Sequence, residues 1–359
     1  MKKTTKIMLT FISLVCVLCT LAGADTLTAC GVPQIAIDLF CLGGAGVSTC
    51  PILPIGEQQT GIVTAYKNKA LIADQVMPIK ILDGPELTFK YFERTKGDAF
   101  TAPDTHVGRT SEPNIIHLSG TEKSDFCIAH GLEDIIPRED IDQIANKERF
   151  VNTHLEYLVN QILLGRELRT AGLVQDTSNY ESDCSVTYQA SEGIGASGFN
   201  IVDVIMEYLE KPLARPNKLG MSANVWAKLR TDANVLKAIY PNNNGGGVAT
   251  REQIKALFEV DEILVGAARV NTTKNPKNPT LSRCWGDHIW AHYEEPLSTL
   301  KEGIAWGMTA QVGERYAEVI EDKKIGLKGA EIIKAGMYQK EVVIGKGAGF
   351  LLKNVIKTA

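Results

Sequence analysis

Past its first fifty residues this chain has almost no cysteine, and taken whole it carries no excess of basic charge. Lys and Arg number 38 against 42 Asp and Glu, for a net charge of −4 and a pI near 5.9. A protein that grips nucleic acid carries a basic footprint to neutralise phosphates, so sequence-specific nucleic acid binding is not expected. Of the eight cysteines, only Cys127, Cys184 and Cys284 lie beyond residue 50. Three isolated thiols make neither a disulfide framework nor a zinc site, and the main body reads as that of a cytosolic protein. Cys16 and Cys19 form a C-x-x-C, but inside an apolar run that lacks the strand–helix context of a redox motif. There is no G-x-S-x-G elbow, no P-loop, and no H-x-E with a downstream C-x-x-C. Internal repeats and low-complexity tracts are also missing. No catalytic residue, metal ligand or cofactor is assigned.

What the chain does have is length and patterning. Its 359 residues, 44% hydrophobic and 22% charged, suffice for roughly two domains with a sizeable core. Lys2, Lys3 and Lys6 precede an apolar run over residues 7–22, and Ala22-Gly23-Ala24 follows, which is the anatomy of a secretory signal peptide. The run is short for a membrane span. Residues 57–68 predict a helix, and LIADQVMPIKIL, residues 71–82, an extended arm leading into a strand.

Residues 90–114, KYFERTKGDAFTAPDTHVGRTSEPN, are polar and charged with almost no apolar period. Loops of that length in a compact domain are functional or disordered. HLSGTEKSDFCIAHGLEDIIP then returns to extended structure, and Pro137 with Glu139, Asp140 and Asp142 suits the first turn of a helix. From residue 146 to 172, Val151, Leu155, Leu158, Val159, Ile162, Leu163 and Leu168 recur at three- and four-residue steps. Glu148, Arg149, Glu156, Arg166 and Arg169 mark the opposite, solvated side, and Gly165 points to close packing or a bend.

Beyond residue 200 helices alternate with strands: NIVDVIMEYLE, then extended NKLGMS, one helix over ANVWAKLRTDANVLKAIY, the loop PNNNGGG, helix REQIKALFEV and strand EILVGAARV. Ser222 and Thr250 are N-cap candidates, Thr250 with Gln253 forming a capping box. After Trp306 strands return, and KEVVIG, KGAG and FLLKNVIK read as a closing hairpin. Gly193, Gly195 and Gly198 spell G-x-G-x-x-G, but no buried strand precedes them and no acid follows at ribose-binding distance, so a linker before a helix is expected. His288 and His292, four apart in a predicted strand, lie about 13 Å from each other and are expected to be structural.

This succession resembles the major capsid proteins of tailed bacteriophages, built on the Hong Kong 97 phage fold. Four stretches carry the resemblance: AYKNKALIADQVMPIKIL; LEDIIPREDIDQIANKERF with the long helix after it; RPNKLGMSANVWAKLRTDANVLKAIY with ATREQIKALFEVDEILVGAARVNT; and CWGDHIWAHY. It covers the chain from about residue 51 onward and implies an α+β fold with an extended N-arm and first strand (51–85) and an extended β loop (86–113). A peripheral domain with a long spine helix (114–175, completed by C-terminal strands 306–359) and an axial α/β domain (176–305) follow.

Residues 1–50 lie outside the resemblance as an atypical apolar, signal-like segment. The resemblance further implies a structural subunit, not an enzyme, that self-assembles through pentamers and hexamers into an icosahedral head enclosing DNA. Its partners would be copies of itself, with scaffold, portal and decoration proteins as further partners and no membrane for the mature subunit. It would be assembled in the bacterial host cytoplasm and found in the virion. Subunit contacts are expected at Glu93, Arg94, Lys96, Asp98, Arg109 and Glu112 of the loop and at Gly245, Gly246 and Gly247 of the axial loop. An encapsulin-like compartment shell fits the charge balance equally well, and a secreted or periplasmic enzyme is supported by residues 1–24 alone.

Overall fold

A computed structural model describes residues 70–82, 84–93, 102, 104–115, 121–241, 246–273, 280–296, 298 and 303–357. The signal-like segment and the helix expected at 57–68 lie outside the described residues. A helix of 28 residues, α3 (Lys147–Val174), runs the length of one layer, about 42 Å at 1.5 Å per residue. It follows a helical turn α1 (Ala73–Val76) and a short helix α2 (Arg138–Asp142) in the chain. Asn146 caps α3, its side chain accepting from Arg149 N at 3.0 Å. The predicted stripe of Val151, Leu155, Leu158, Val159, Ile162 and Leu163 is buried against Ala317, Ile333, Ala335 and Met337. Truncating Leu158 to Ala is expected to cost about 2 to 5 kcal/mol in denaturant unfolding of the subunit. A loss below about 0.5 kcal/mol, the range of a surface change, would contradict this packing.

The sheet beneath α3 has the order β1 (Ile79–Leu82), β11 (Gly307–Asp322), β12 (Ala330–Val343) and β4 (Ile128–Pro137), with β1 parallel to β11 and the rest antiparallel. The register of β11 and β12 shifts between Val312 and Tyr316, where Gly313 takes φ +63°. Just past this bulge Tyr316 lies over Gly336, whose backbone leaves no room for a Cβ.

The second layer is a sheet ordered β5 (Ser185–Thr187), β13 (Gly349–Lys353), β10 (Ile289–His292), β6 (Lys218–Ser222) and β7 (Glu262–Gly266). Helices α4 (Ile201–Glu210), α5 (Ala223–Leu229), α6 (Ala233–Ile239) and α7 (Arg251–Phe258) bury Ile205, Leu209, Val225, Leu236, Ile254 and Phe258 against it. Ser222 caps α5, and Thr250 with Gln253 forms the capping box of α7. Two ribbons complete the fold: β2 (Thr88–Glu93) with β3 (Thr121–Phe126), and β8 (Arg269–Asn271) with β9 (Leu281–Arg283).

Several local expectations are corrected. LIADQVMPIKIL is not extended throughout, because residues 73–76 close a helical turn whose amides are held by Glu167. The single helix expected over 223–240 is two, since the Asp232 side chain accepts from Asn234 N and Val235 N and starts a new one. Residues 340–357 are no hairpin: Ile344 N and Gly345 N both donate to Trp306 O, and the chain passes from one sheet to the other. Arg166 is buried and Leu168 is 40% exposed, reversing their predicted sides. Gly165 is not closely packed, as a Cβ there would meet nothing nearer than Arg169 Nη1 at 3.8 Å, and α3 continues through it.

Candidate intersubunit surfaces

Where the two layers meet, α3 presents consecutive charged residues inward. The Glu167 carboxylate accepts from Ile72 N at 3.0 Å, Ala73 N at 2.8 Å and Trp285 Nε1 at 2.6 Å, joining the arm, the spine helix and the tryptophan turn at one buried point. Burial pushes its pKa up, and the hydrogen bonds from Ile72, Trp285 and Ala73 pull back. Arg166 donates to Met77 O at 2.9 Å and to Thr309 Oγ1 at 3.1 Å and pairs with Asp74. Desolvation lowers its pKa to about 10, so it remains charged. Arg169 grips Glu341 in a two-pronged pair at 2.9 and 3.1 Å. These contacts pin residues 72–77, just ahead of β1, against α3.

Trp285 and Trp290 stack at 4.6 Å, lying over Gly266 and Gly220, where a Cβ would meet indole atoms at 2.1 and 2.3 Å. His292 is fully buried beside Trp306, and His288 accepts from Asn354 N at 3.1 Å. Desolvation holds them neutral, with pKa values of about 3 and about 4. The unfolded chain, with ordinary histidines near 6.5, takes up protons first, so stability falls as pH drops below about 6.5 and keeps falling toward the folded values. At pH 5 each histidine is expected to remove about 2 kcal/mol. A pH series of unfolding midpoints checks this. The acid slope should flatten in His292→Leu, and an unchanged slope would contradict the assignment.

The extended ribbon grows from this frame. Phe89 and Cys127 root it in a cluster with Ala305, Met308, Ala310 and Val342. Beyond the root it is held by charge pairs, Lys90 with Glu122 at 3.0 Å and Glu93 with Lys123. Glu93 therefore already has a partner in its own chain. Within residues 104–115, His106 N donates to Asp104 Oδ1 and Asn114 Nδ2 to Asp104 O. Arg109 and Glu112 are exposed without an ion pair among the described residues, and Ile115 is 81% exposed. Arg94, Lys96 and Asp98 lie outside the described residues.

In the axial layer Gly246 and Gly247 lead into α7. Gly247 sits at φ +127°, which excludes ordinary side chains, and Val248 is half exposed. Gly245 lies outside the described residues. The glycines of G-x-G-x-x-G form turns at positive φ, Ile194 bridging to Ile356, with no strand-to-helix phosphate cradle.

Among the described residues no group of three or more His, Cys, Asp or Glu could hold a metal, and no helix is long and apolar enough to cross a membrane. Burial raises the thiols of Cys127 and Cys284 to about 11 and about 12, which leaves them protonated and inert as nucleophiles. The residues that hold the arm, Arg166 and Glu167, were missed by sequence reading. A charged pair set on the apolar face of an otherwise regular helix was the available signal.

No family model matches the sequence. A major capsid protein of Pseudomonas phage JBD67 is 31% identical over 303 residues, covering 84% of this chain and 97% of that protein. A second, from Burkholderia phage BcepMu, is 21% identical over 308 residues. Among solved structures, a phage-related protein of Bordetella bronchiseptica RB50 superposes with a TM-score of 0.67 at 20% identity, covering 84% of this chain and 97% of that one. The capsid protein of an Escherichia coli CFT073 prophage, described there as putative, gives 0.51 at 10% identity over 83% of this chain. The mixed α+β fold is that of phage capsid proteins, of the Hong Kong 97 type, and the chain belongs to the phage major capsid proteins.

Proposed function

We propose that copies of this chain close into pentameric and hexameric rings that tile an icosahedral phage head around the DNA genome. The observation that carries this reading is the ribbon with its stretch 104–115, exposed and in no core cluster among the described residues. Such a ribbon is marginal alone and gains from pairing with another copy. On this reading the arm spans 51–85 and the loop 86–113, with its return strand reaching residue 126. The peripheral domain is 114–175 plus 306–359, and the axial domain 176–305.

Arg109 and Glu112 would meet charges on an adjacent subunit, as would Arg94, Lys96 and Asp98. Gly245, Gly246 and Gly247 would face the ring centre. The chain acts as a structural subunit without catalysis, assembling in the host cytoplasm with scaffold, portal and decoration proteins as partners. Negative-stain microscopy and sedimentation of purified protein test it: closed particles tens of nanometres across are expected, and a soluble monomer at all concentrations would sink the proposal.

The axial loop supplies a separate check. Protease should cut residues 241–247 in free subunits and spare them in particles. Equal cutting rates in both would show that the loop does not line a subunit contact.

A further inference from the structure

The β8–β9 ribbon sets Arg269 directly opposite Arg283, and among the described residues neither has a carboxylate within ion-pairing distance. Like charges directly opposed destabilise a ribbon, and two three-residue strands have little stability to spare. The same ribbon exposes Leu281 to 59%. In sequence, residues 267–284 contain Arg269, Lys274, Lys277 and Arg283 and no acid, in a chain whose net charge is −4. Among the described residues the ribbon is therefore a cationic feature without an anionic partner.

The complement lies elsewhere on the chain. Helix α2 exposes Glu139 and Asp140, neither of them in an ion pair among the described residues. It stands at the start of α3, where Asp142 meets Lys147 at 3.3 Å. The β8–β9 ribbon stands at the other end, where Gln175 Nε2 donates to Cys284 O at 2.9 Å. The two features are thus separated by the full helix, about 42 Å for 28 residues. No exposed charge pair forms over that distance within one subunit.

We infer that the Arg269–Arg283 ribbon of one copy docks on the Glu139–Asp140 corner of the next, with Leu281 as its apolar contact. This inference rests on the shell-forming function proposed above. Acid at one end of a rod and base at the other make the contact head-to-tail, the heterologous type that closes rings and shells. Because Arg269, Glu139 and Asp140 are exposed and Arg283 is partly so, added salt weakens the contact.

The test is a charge swap in full-length protein, read by sedimentation and microscopy, with thermal melts of the subunit as the folding control. Arg269→Glu with Arg283→Glu should abolish particles, as should Glu139→Arg with Asp140→Arg, each with an unchanged melt. Combining all four should restore particles. Should a reversal fail to fold, the milder Arg269→Gln with Arg283→Gln is used, and it should lessen the salt dependence of wild-type assembly. Particles from either reversal alone, no rescue by the combination, or undiminished salt dependence in the Gln variant would overturn the inference. Normal particles with reduced DNA content in the ribbon variant would overturn it too, placing packaged nucleic acid opposite the arginines. Absence of particles from wild-type protein would instead sink the shell function itself.

Discussion

Replacing residues 94–120 by a short Gly-Ser turn is expected to leave the subunit folded and to abolish the shell. Glu93 and Thr121 face each other in register, so a tight turn joins them without moving either strand. The deleted segment includes the exposed stretch 104–115, and shortening a surface loop changes stability by about 1 kcal/mol or less. The boundary matters. Phe89 is 5% exposed in the core beneath β11, so cutting back to residue 88 would remove packing as well as the arm. On the function proposed above each arm contact would repeat at every subunit, and even about 1 kcal/mol per contact would accumulate around a closed particle. A cooperative melt near the wild-type midpoint together with loss of particles supports the arm. Normal particles, or a collapsed subunit, would refute it.

The second large effect is expected at Glu167. Substitution by Ala strands the Ile72 and Ala73 amides and the Trp285 indole N–H, and removes the neighbouring countercharge of Arg166. Stranding buried donors and breaking a buried charge network costs about 3 to 5 kcal/mol in subunit unfolding. Glu167→Gln keeps one acceptor oxygen and should cost less than Ala. An Ala variant within about 0.5 kcal/mol of wild type, the range of a surface change, would show that the carboxylate holds nothing. If the variant folds, loosened arms should also yield misshapen particles.

The spine helix was legible because Val151, Leu155, Leu158 and Ile162 repeat at helical steps over a length that only a helix explains. Periodicity failed at Arg166 for a physical reason: the rule places charge in water, whereas this guanidinium finds Met77 O, Thr309 and Asp74 in the interior. The turn at 73–76 was hidden because its amides are satisfied by Glu167, 94 residues away in sequence. The break between α5 and α6 could have been read, since Thr231-Asp232 is an N-cap signal inside a run otherwise good for a helix. The false hairpin near the C-terminus had correct strands but wrong neighbours, which local pattern does not encode. For the ribbon, polarity alone marked residues 90–114 as unusual, while Phe89 and Cys127 as its root emerged only from the sheet that covers them.

The position of β13 bears on the timing of synthesis. This strand lies between β5 and β10, pairing residues 351–353 with 185–187 and 349–352 with 289–292. The axial sheet is therefore split until residue 353 has been added, although α3 is complete at residue 174. At about 5 to 20 residues per second, the ribosome needs roughly 10 to 35 s to cover that interval. During this time β5 and β10 lack the strand that joins them, and the cluster containing Phe350 and Leu352 cannot close. A nascent chain is thus barred from presenting a finished axial domain to its neighbours, and ring formation is deferred to chains whose translation has passed that strand.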